Sequence, residues 1–87
     1  MGRASRNKPA KLAEKLLAIR NELGLSQSEL IGKLASDDIP IYKADISKYG
    51  SGKRDPPLLI LLRYARLRNV SMEMLVDDEL TLPGESQ

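Results

Sequence analysis

Ser26 and Glu29 mark the start of a helix more clearly than any other residues in this chain. A serine followed three residues later by glutamate predicts a capping box, in which each side chain accepts a hydrogen bond from the other residue's backbone N–H group. Leu25 and Leu30 can add a hydrophobic staple around the same turn. We therefore expect a chain built from short helices, and similar start and stop signals occur on both sides of this one.

Helix 1 is predicted from about residue 9 to Gly24, because proline suits a first helical turn and glycine commonly ends a helix. Residues 35–41 read as a polar turn, since Pro40 disfavours helix before it and Ser-Asp-Asp is loop chemistry. Helix 3 is predicted from about Tyr42 to Tyr49, with Gly50 and Gly52 stopping it.

Helix 4 is predicted to start at Asp55-Pro56-Pro57, with Asp55 as its N-cap, and to close at Asn69. Helix 5 should follow Ser71, and acids 77–79 should fray its end because the helix dipole disfavours negative charge there. Apolar residues at helical spacing give the expected core: Leu12, Leu16, Ile19, Leu23, Leu30, Ile31, Leu34, Ile46, Tyr49, Leu58, Leu61, Leu62, Tyr64, Ala65, Met72, Leu75 and Val76.

The 87 residues allow one small domain, which we divide into a disordered basic arm (1–8), a folded domain (9–80) and a flexible tail (81–87). Neither cysteine nor histidine is present, which excludes disulfides, thiolate or histidine zinc sites and Ser-His-Asp catalysis. We expect no enzyme activity, no metal and no cofactor. The chain opens without an apolar leader, and its longest apolar run (58–62) is far below the roughly 20 residues of a membrane span. A cytoplasmic protein without membrane contact is expected.

Charge is distributed unevenly along the chain. All fourteen lysines and arginines lie between Arg3 and Arg68 together with seven acids, whereas the last 19 residues carry five acids and no base. A basic body fits an anionic partner such as nucleic acid, although ordinary surface charge gives the same count.

Helix 3 and the loop after it concentrate the residues suited to that partner. If Ile46 and Tyr49 face the core, then Lys43, Ala44, Ser47 and Lys48 face outward. Lysine can donate to guanine O6 and N7, and an alanine methyl can pack on the thymine methyl. Lys53 and Arg54 follow two glycines, which would let backbone N–H groups approach phosphate closely. Two short helices, a turn and a basic loop have the outline of a helix-turn-helix DNA reader.

These segments together resemble a known family. The stretches 23–30 (LGLSQSEL), 46–49 (ISKY), 51–54 (SGKR) and 69–71 (NVS) with Leu75 are similar to the phage repressor and Cro type of helix-turn-helix, often called the XRE family. The resemblance covers residues 10 to about 78. It implies an all-α, compact five-helix lambda-repressor-like domain, whose third helix enters the DNA major groove, usually as a dimer.

Position by position, the resemblance assigns base reading to Lys43, Ala44, Ser47 and Lys48. It assigns contacts with the DNA backbone to five further residues, which are Gln27, Tyr42, Ser51, Lys53 and Arg54.

The chain departs from the family pattern in two places. The spacing between helices 2 and 3 is about five residues longer, and 36–40 look like the insertion, with Asp37 and Asp38 in it. Either this turn bulges away from DNA or the reading geometry differs. Gly50 stands where the family commonly has a glutamate that pairs with an arginine of helix 1, here best matched by Arg20. Arg20 would then be freer to meet a phosphate.

We therefore expect a small transcriptional regulator, a repressor by preference, that binds double-stranded DNA as a homodimer with half-sites roughly 34 Å apart or a multiple of that. The helix 5 region is the expected dimer contact. A regulatory protein partner is also compatible with the chain. The alternative is a protein-interaction module on the same fold that no longer reads DNA, favoured by the acidic turn and by the exposed parts of helices 4 and 5.

Overall fold

Five α-helices follow one another in the computed structural model, which describes residues 9–83. They are α1 (Leu12–Leu23), α2 (Gln27–Leu34), α3 (Lys43–Ser51), α4 (Leu58–Arg68) and α5 (Met72–Val76). The described part of the chain contains no strand, and its Cα radius of gyration is 12.9 Å. The expected compact, all-helical class with five helices is therefore confirmed. None of the helices within 9–83 is long and apolar enough to span a bilayer.

The local signals that end and begin helices act as expected. Ser26 Oγ accepts from Glu29 N at 3.1 Å and Glu29 Oε1 accepts from Ser26 N at 2.8 Å, which completes the capping box. The bonds from Ser26 hold the pKa of Glu29 below its usual value. Asn69 closes α4 in the left-handed conformation, and Ser71 caps α5 through Met74 N at 3.2 Å. Gly50, by contrast, lies inside α3, and only Gly52 (φ 82°) ends that helix.

The core is aliphatic, with two tyrosines at its edge. Its buried members are Leu12, Leu16, Ile19, Leu30, Leu34, Ile41, Ile46, Tyr49, Ile60, Leu61, Tyr64, Ala65, Leu75 and Leu82. The prediction of burial is wrong for three residues: Leu23, Leu58 and Val76 are exposed by 39%, 69% and 39%. Each is the first or last residue of its helix. The apolar stripe reaches these three helix ends, but no neighbouring element covers them, whereas Leu12 and Leu34 at other helix ends are buried.

The start of α1 differs from the prediction. The helix begins at Leu12 rather than near residue 9, and Lys11 at its N-cap makes no side-chain cap. A carboxylate distant in sequence, that of Asp78, lies at this end of the helix instead. It accepts hydrogen bonds from Ala10 N at 2.9 Å and from Lys11 N at 3.0 Å. A carboxylate at a helix N-terminus is stabilised by the free N–H groups and the dipole there. Asp78 therefore serves α1 and does not merely add charge after α5.

Lys15 joins α1 to the end of α5 through a second set of hydrogen bonds. It is the one charged residue buried among residues 9–83, with 4% of its surface exposed. Its ammonium donates to the carbonyls of Met74 and Asp77, both at 2.8 Å, where α5 ends. A cation at a helix C-terminus satisfies carbonyls that the helix leaves free. Residues 77–80 form a hydrogen-bonded turn, so the expected fraying is corrected.

The folded region also extends further than predicted. Leu82 is 1% exposed within the core, and Arg68 donates to the Pro83 carbonyl at 2.8 Å. The expectation of a loose tail is therefore wrong for Leu82 and Pro83, and the domain continues past residue 80.

Two further expectations concern the start of α4 and the chain termini. Asp55 was expected to be the N-cap of α4, but Pro57 occupies that position and provides no side-chain hydrogen bond. The predicted arm 1–8 and the rest of the tail, 84–87, lie outside the described residues.

Replacing Lys15 by methionine should destabilise the protein. The methionine keeps most of the volume but cannot donate, so the carbonyls of Met74 and Asp77 lose a buried partner, at a cost of about 1–3 kcal/mol in the free energy of unfolding. Urea denaturation of Lys15→Met and of Lys33→Met, an exposed position on α2, measures the difference. Equal stability of the two variants would contradict a stabilising role for the Lys15 contacts.

Asp78 should make stability depend on acid pH. Hydrogen bonds from Ala10 N and Lys11 N hold the pKa of Asp78 below its usual 3.8, so the stabilisation exists above pH 3.8 and is lost as pH falls through the lower pKa of the folded state. Asp78→Asn should be less stable than the native chain at pH 7, and the gap should close below pH 3.8. Thermal melts between pH 7 and pH 2 measure it, with exposed Asp38→Asn as control. A gap independent of pH would show that the charge plays no part.

Candidate nucleic-acid interface

One face of α3 is buried and the opposite face is open. Ile46 and Tyr49 lie in the core at 5% and 4% exposure, and α3 packs against α1 and α2. The four expected base-contacting residues, Lys43, Ala44, Ser47 and Lys48, are all exposed. On a helix of about 3.6 residues per turn they occupy an arc of about 140°. Neither lysine is turned inward, so the outward face has the membership that the apolar spacing predicted.

Asp45 ties the first turn of α3 to the loop that follows the helix. Its Oδ2 accepts from Tyr42 N at 3.0 Å, and its Oδ1 accepts from Arg54 Nη1 at 2.9 Å. The Asp45 side chain is only 17% exposed, whereas that of Arg54 is 57% exposed. An exposed pair of this kind contributes little to stability. The pair nevertheless neutralises Asp45, the only acid on α3, and orients the loop that follows the helix. Sequence reasoning missed this role, although an acid at the third helical position is a signal for capping.

The basic loop uses its backbone differently from the expectation. Lys53 N and Arg54 N both donate to the Lys48 carbonyl, at 3.0 and 3.3 Å, because Gly52 turns the chain back over the end of α3. These two N–H groups are therefore bonded within the chain, whereas the expectation was that backbone N–H groups of this loop approach phosphate. The Lys53 side chain remains exposed, while the Arg54 guanidinium has Asp45 as its partner.

The other residues that the sequence predicts to contact the DNA backbone fall into two groups. Tyr42 stands at the N-cap of α3 with 66% of its surface exposed. Gln27 and Ser51 lie instead beside a cleft between α1, α2 and α3, where Ser47 joins them. Ser51 is the last residue of α3, and its hydroxyl donates to the Lys48 carbonyl at 3.3 Å. The structure thus brings Gln27, Ser47 and Ser51 together and leaves Tyr42 and the lysines further out.

The cleft has a volume of about 260 Å³. Its lining consists of Leu16, Leu17, Arg20, Gln27, Leu30, Ile46, Ser47, Gly50, Ser51 and Tyr64. Burial divides these residues into a buried floor that includes Tyr64 and a more exposed rim that includes Arg20 and the apolar Leu17. A larger cleft, about 530 Å³, lies between the start of α1 and the loop after α3, and none of the four expected base-contacting residues lines it.

The turn between α2 and α3 is fixed to α4. Ser36 and Ile39 exchange backbone hydrogen bonds of 3.1 and 3.0 Å, which close the turn. Arg63 donates to the Leu34 carbonyl at 2.6 Å and to Ser36 Oγ at 3.2 Å. The turn therefore begins on the α4 side of α2, whereas α3 packs on α1 and α2. Arg63 was missed from the sequence, because nothing local links it to a turn 27 residues earlier.

No group of three or more acidic, histidine or cysteine side chains within 9–83 could hold a metal ion. The exposed side chains of α3 itself include the ammonium groups of Lys43 and Lys48, the hydroxyl of Ser47 and the methyl of Ala44.

Comparisons with protein-family models, with curated proteins and with solved structures find no match for this chain.

Proposed function

We propose that this protein binds double-stranded DNA sequence-specifically and acts as a small transcriptional regulator, a repressor by preference. The observation that carries the proposal is the exposed arc of Lys43, Ala44, Ser47 and Lys48 on α3, directly opposite the buried Ile46 and Tyr49. In this proposal α2 and α3 form a helix-turn-helix, and α3 enters the major groove.

The dimensions and chemistry of α3 support this assignment. Its nine residues span about 13 Å, and the major groove is about 12 Å wide. Lys43 and Lys48 can donate to guanine acceptors, and the methyl group of Ala44 can contact thymine. Because Arg54 neutralises Asp45, the reading face presents no uncompensated carboxylate. A free carboxylate there would repel the phosphates on both sides of the groove.

The acidic turn is compatible with this approach. Arg63 holds the start of the turn against α4, so Asp37 and Asp38 project from an anchored turn and not from a free loop. Of the two alternatives for the inserted residues, the proposed function requires the one in which the turn bulges away from DNA. The lysine of the basic loop, Lys53, is the proposed phosphate contact, and Arg54 is a positioning residue.

The resemblance to the repressor and Cro type of helix-turn-helix adds to the proposal. The residues that carry it include the Ser26 capping box, the Ile46-Ser47-Lys48-Tyr49 stretch and Ser71 before α5. A single α3 reads few base pairs, so a homodimer on a two-fold operator is proposed, with half-sites roughly 34 Å apart or a multiple of that. Val76, 39% exposed at the end of α5, belongs to the proposed dimer contact.

A protein-interaction module is the second candidate. Leu58 and Leu59 are adjacent and exposed by 69% and 52% at the start of α4, which favours this reading. Exposed apolar neighbours of this kind are common at protein contacts. The basic arc on α3 opposes it, because a partner for two outward lysines would need matching acids.

Selection of bound duplexes from a random pool, at two salt concentrations, tests the function. An enriched palindrome is expected at both, because two copies of α3 would read symmetry-related half-sites. Retention of DNA without an enriched sequence would contradict sequence-specific reading. If no duplex is retained even at low salt, DNA binding is rejected and the interaction module is favoured.

Lys43→Ala and Lys53→Ala should weaken DNA binding in different ways. Loss of a base-reading lysine should cost about 1–3 kcal/mol on the selected sequence and relax the preference at one position. Loss of a phosphate-binding lysine should weaken all sequences similarly and reduce the salt slope by about one. Fluorescence anisotropy on selected and scrambled duplexes separates the two, with Lys33→Ala on α2 as control. Uniform loss on every sequence for Lys43→Ala would remove its reading role.

A further inference from the structure

We propose that the larger cleft, between the start of α1 and the loop after α3, binds a neutral and mostly apolar organic molecule, with the Tyr49 hydroxyl donating to an acceptor oxygen of that molecule. The cleft is separate from the arc of α3 that is proposed to read bases (the reading arc), since none of the four residues of that arc lines it. The site is therefore a further binding function and does not depend on DNA binding.

The size and lining of the larger cleft suit a small organic ligand. Its volume of about 530 Å³ lies within the range of about 300–1,000 Å³ that is typical of small-molecule pockets. Its apolar lining residues are Pro9, Ala10, Leu12, Ala13, Leu16 and Pro56. Leu12, Leu16 and Pro56 are buried and form a floor, whereas Ala10 is exposed at the rim. An apolar molecule on this floor withdraws its own surface from water, which favours binding.

Tyr49 gives a second, independent indication of a ligand. It lines the larger cleft and is 4% exposed, yet no hydrogen bond to its hydroxyl exists within the described residues. A buried tyrosine hydroxyl ordinarily has a partner. Burial raises the pKa of Tyr49 and the nearby Asp45 carboxylate raises it further, so the phenol keeps its proton at neutral pH and can donate. An acceptor oxygen on the ligand would supply the missing partner.

The charges at the rim favour a neutral ligand. Among the described residues that line the larger cleft, Arg54 and Asp55 are the charged ones, and they carry opposite signs. The Arg54 guanidinium also has Asp45 as its partner at 2.9 Å. A charged ligand would lose hydration without meeting an uncompensated charge of opposite sign, which costs free energy. A carbonyl oxygen has much less hydration to lose and still accepts a hydrogen bond.

Both walls of the larger cleft are held in place by bonds within the protein. On one side, Asp78 accepts from Ala10 N at 2.9 Å and from Lys11 N at 3.0 Å, which fixes the chain before α1. On the other side, two N–H groups of the loop after α3 donate to the Lys48 carbonyl, which fixes that loop. A site that is formed in advance loses little conformational freedom when a ligand binds.

The test uses three compounds of similar shape that differ in their polar group. Butyrophenone carries a neutral carbonyl oxygen, butylbenzene lacks it, and the para-propylbenzoate anion carries a charge. NMR titration of the full chain follows the methyl signals of Leu12, Ala13 and Leu16, which line the larger cleft. Butyrophenone should shift these signals saturably, and para-propylbenzoate should bind more weakly because its carboxylate must be desolvated. Tighter binding of the anion, or no saturable shift with butyrophenone, overturns the proposal.

Tyr49→Phe tests the polar contact. It should lower the affinity for butyrophenone about two- to tenfold, the loss expected for one hydrogen bond, and leave the affinity for butylbenzene unchanged. Tyr64→Phe is the matched control, because Tyr64 is equally buried but does not line this cleft, and it should change neither affinity. If Tyr49→Phe leaves butyrophenone binding unchanged, or weakens both compounds equally, the hydroxyl is not the donor and the proposal fails.

Ala13→Leu tests the location. The larger side chain should occupy the cleft and lower the affinity for butyrophenone and butylbenzene at least about tenfold. Ser28→Leu adds the same side chain at an exposed position of α2 that does not line the cleft, and should leave both affinities unchanged. Native affinity in a folded Ala13→Leu protein overturns the proposal. Thermal melts show whether each variant is folded, and if Ala13→Leu is not, the comparison of Tyr49→Phe with Tyr64→Phe decides.

A last measurement tests whether the chain itself fills the larger cleft. Nuclear Overhauser contacts between the Tyr49 ring and residues 1–8 in the ligand-free protein would overturn the proposal, because the occupant would then be a segment of the same chain. Their absence, together with the shifts expected for butyrophenone, supports it. All of these titrations are carried out without DNA, so they decide the cleft proposal whether or not the proposed function holds.

Discussion

The contact between α1 and α3 determines which face of α3 is available. Gly50 lies against Leu17, and Gly52 lies against Ala13, so the two helices approach closely where α3 ends. Ile46 and Tyr49 are buried by the same packing, and the lysines of α3 are left outside. Because side chains on a helix are fixed relative to one another, burial of one face decides the direction of the other. The proposed reading arc is therefore a consequence of how α1 supports α3.

The end of the chain holds α1 in turn. Asp78 bonds the N–H groups before α1, and Lys15 bonds the carbonyls at the end of α5. Each charge meets the helix terminus of opposite partial charge, so both ends are satisfied at once. The acidic end of the sequence thus has an internal structural function at Asp78. A net charge count along the chain assigns that carboxylate to the surface, whereas its bonds assign it to the fold.

Features encoded within a few residues were predictable from the sequence, and those formed across the chain were not. The Ser26 capping box and the closure at Asn69 depend on neighbours in sequence, and both are present. The bonds from Ala10 and Lys11 to Asp78 join residues 68 and 67 positions apart, so no local pattern indicates them. At the candidate site, the spacing of Ile46 and Tyr49 gave the outward face. The Asp45–Arg54 pair depends on the path of the loop, which Gly52 sets only in the folded chain.

Within residues 9–83, few charges are proposed to meet phosphate, and this has a consequence for how the protein would act. Arg54 pairs with Asp45, which leaves Lys53 as the charged backbone contact of the basic loop in the proposed function. Each neutralised phosphate contributes about 0.9 to the salt slope, so this contact alone would give one subunit a slope near 1 and weak non-specific affinity. Two subunits on one operator double the electrostatic contribution and the number of bases read. If the protein binds DNA as proposed, pairing an internal acid with Arg54 would leave a single subunit few phosphate contacts, and this charge arrangement favours the proposed dimer together with the short reading helix.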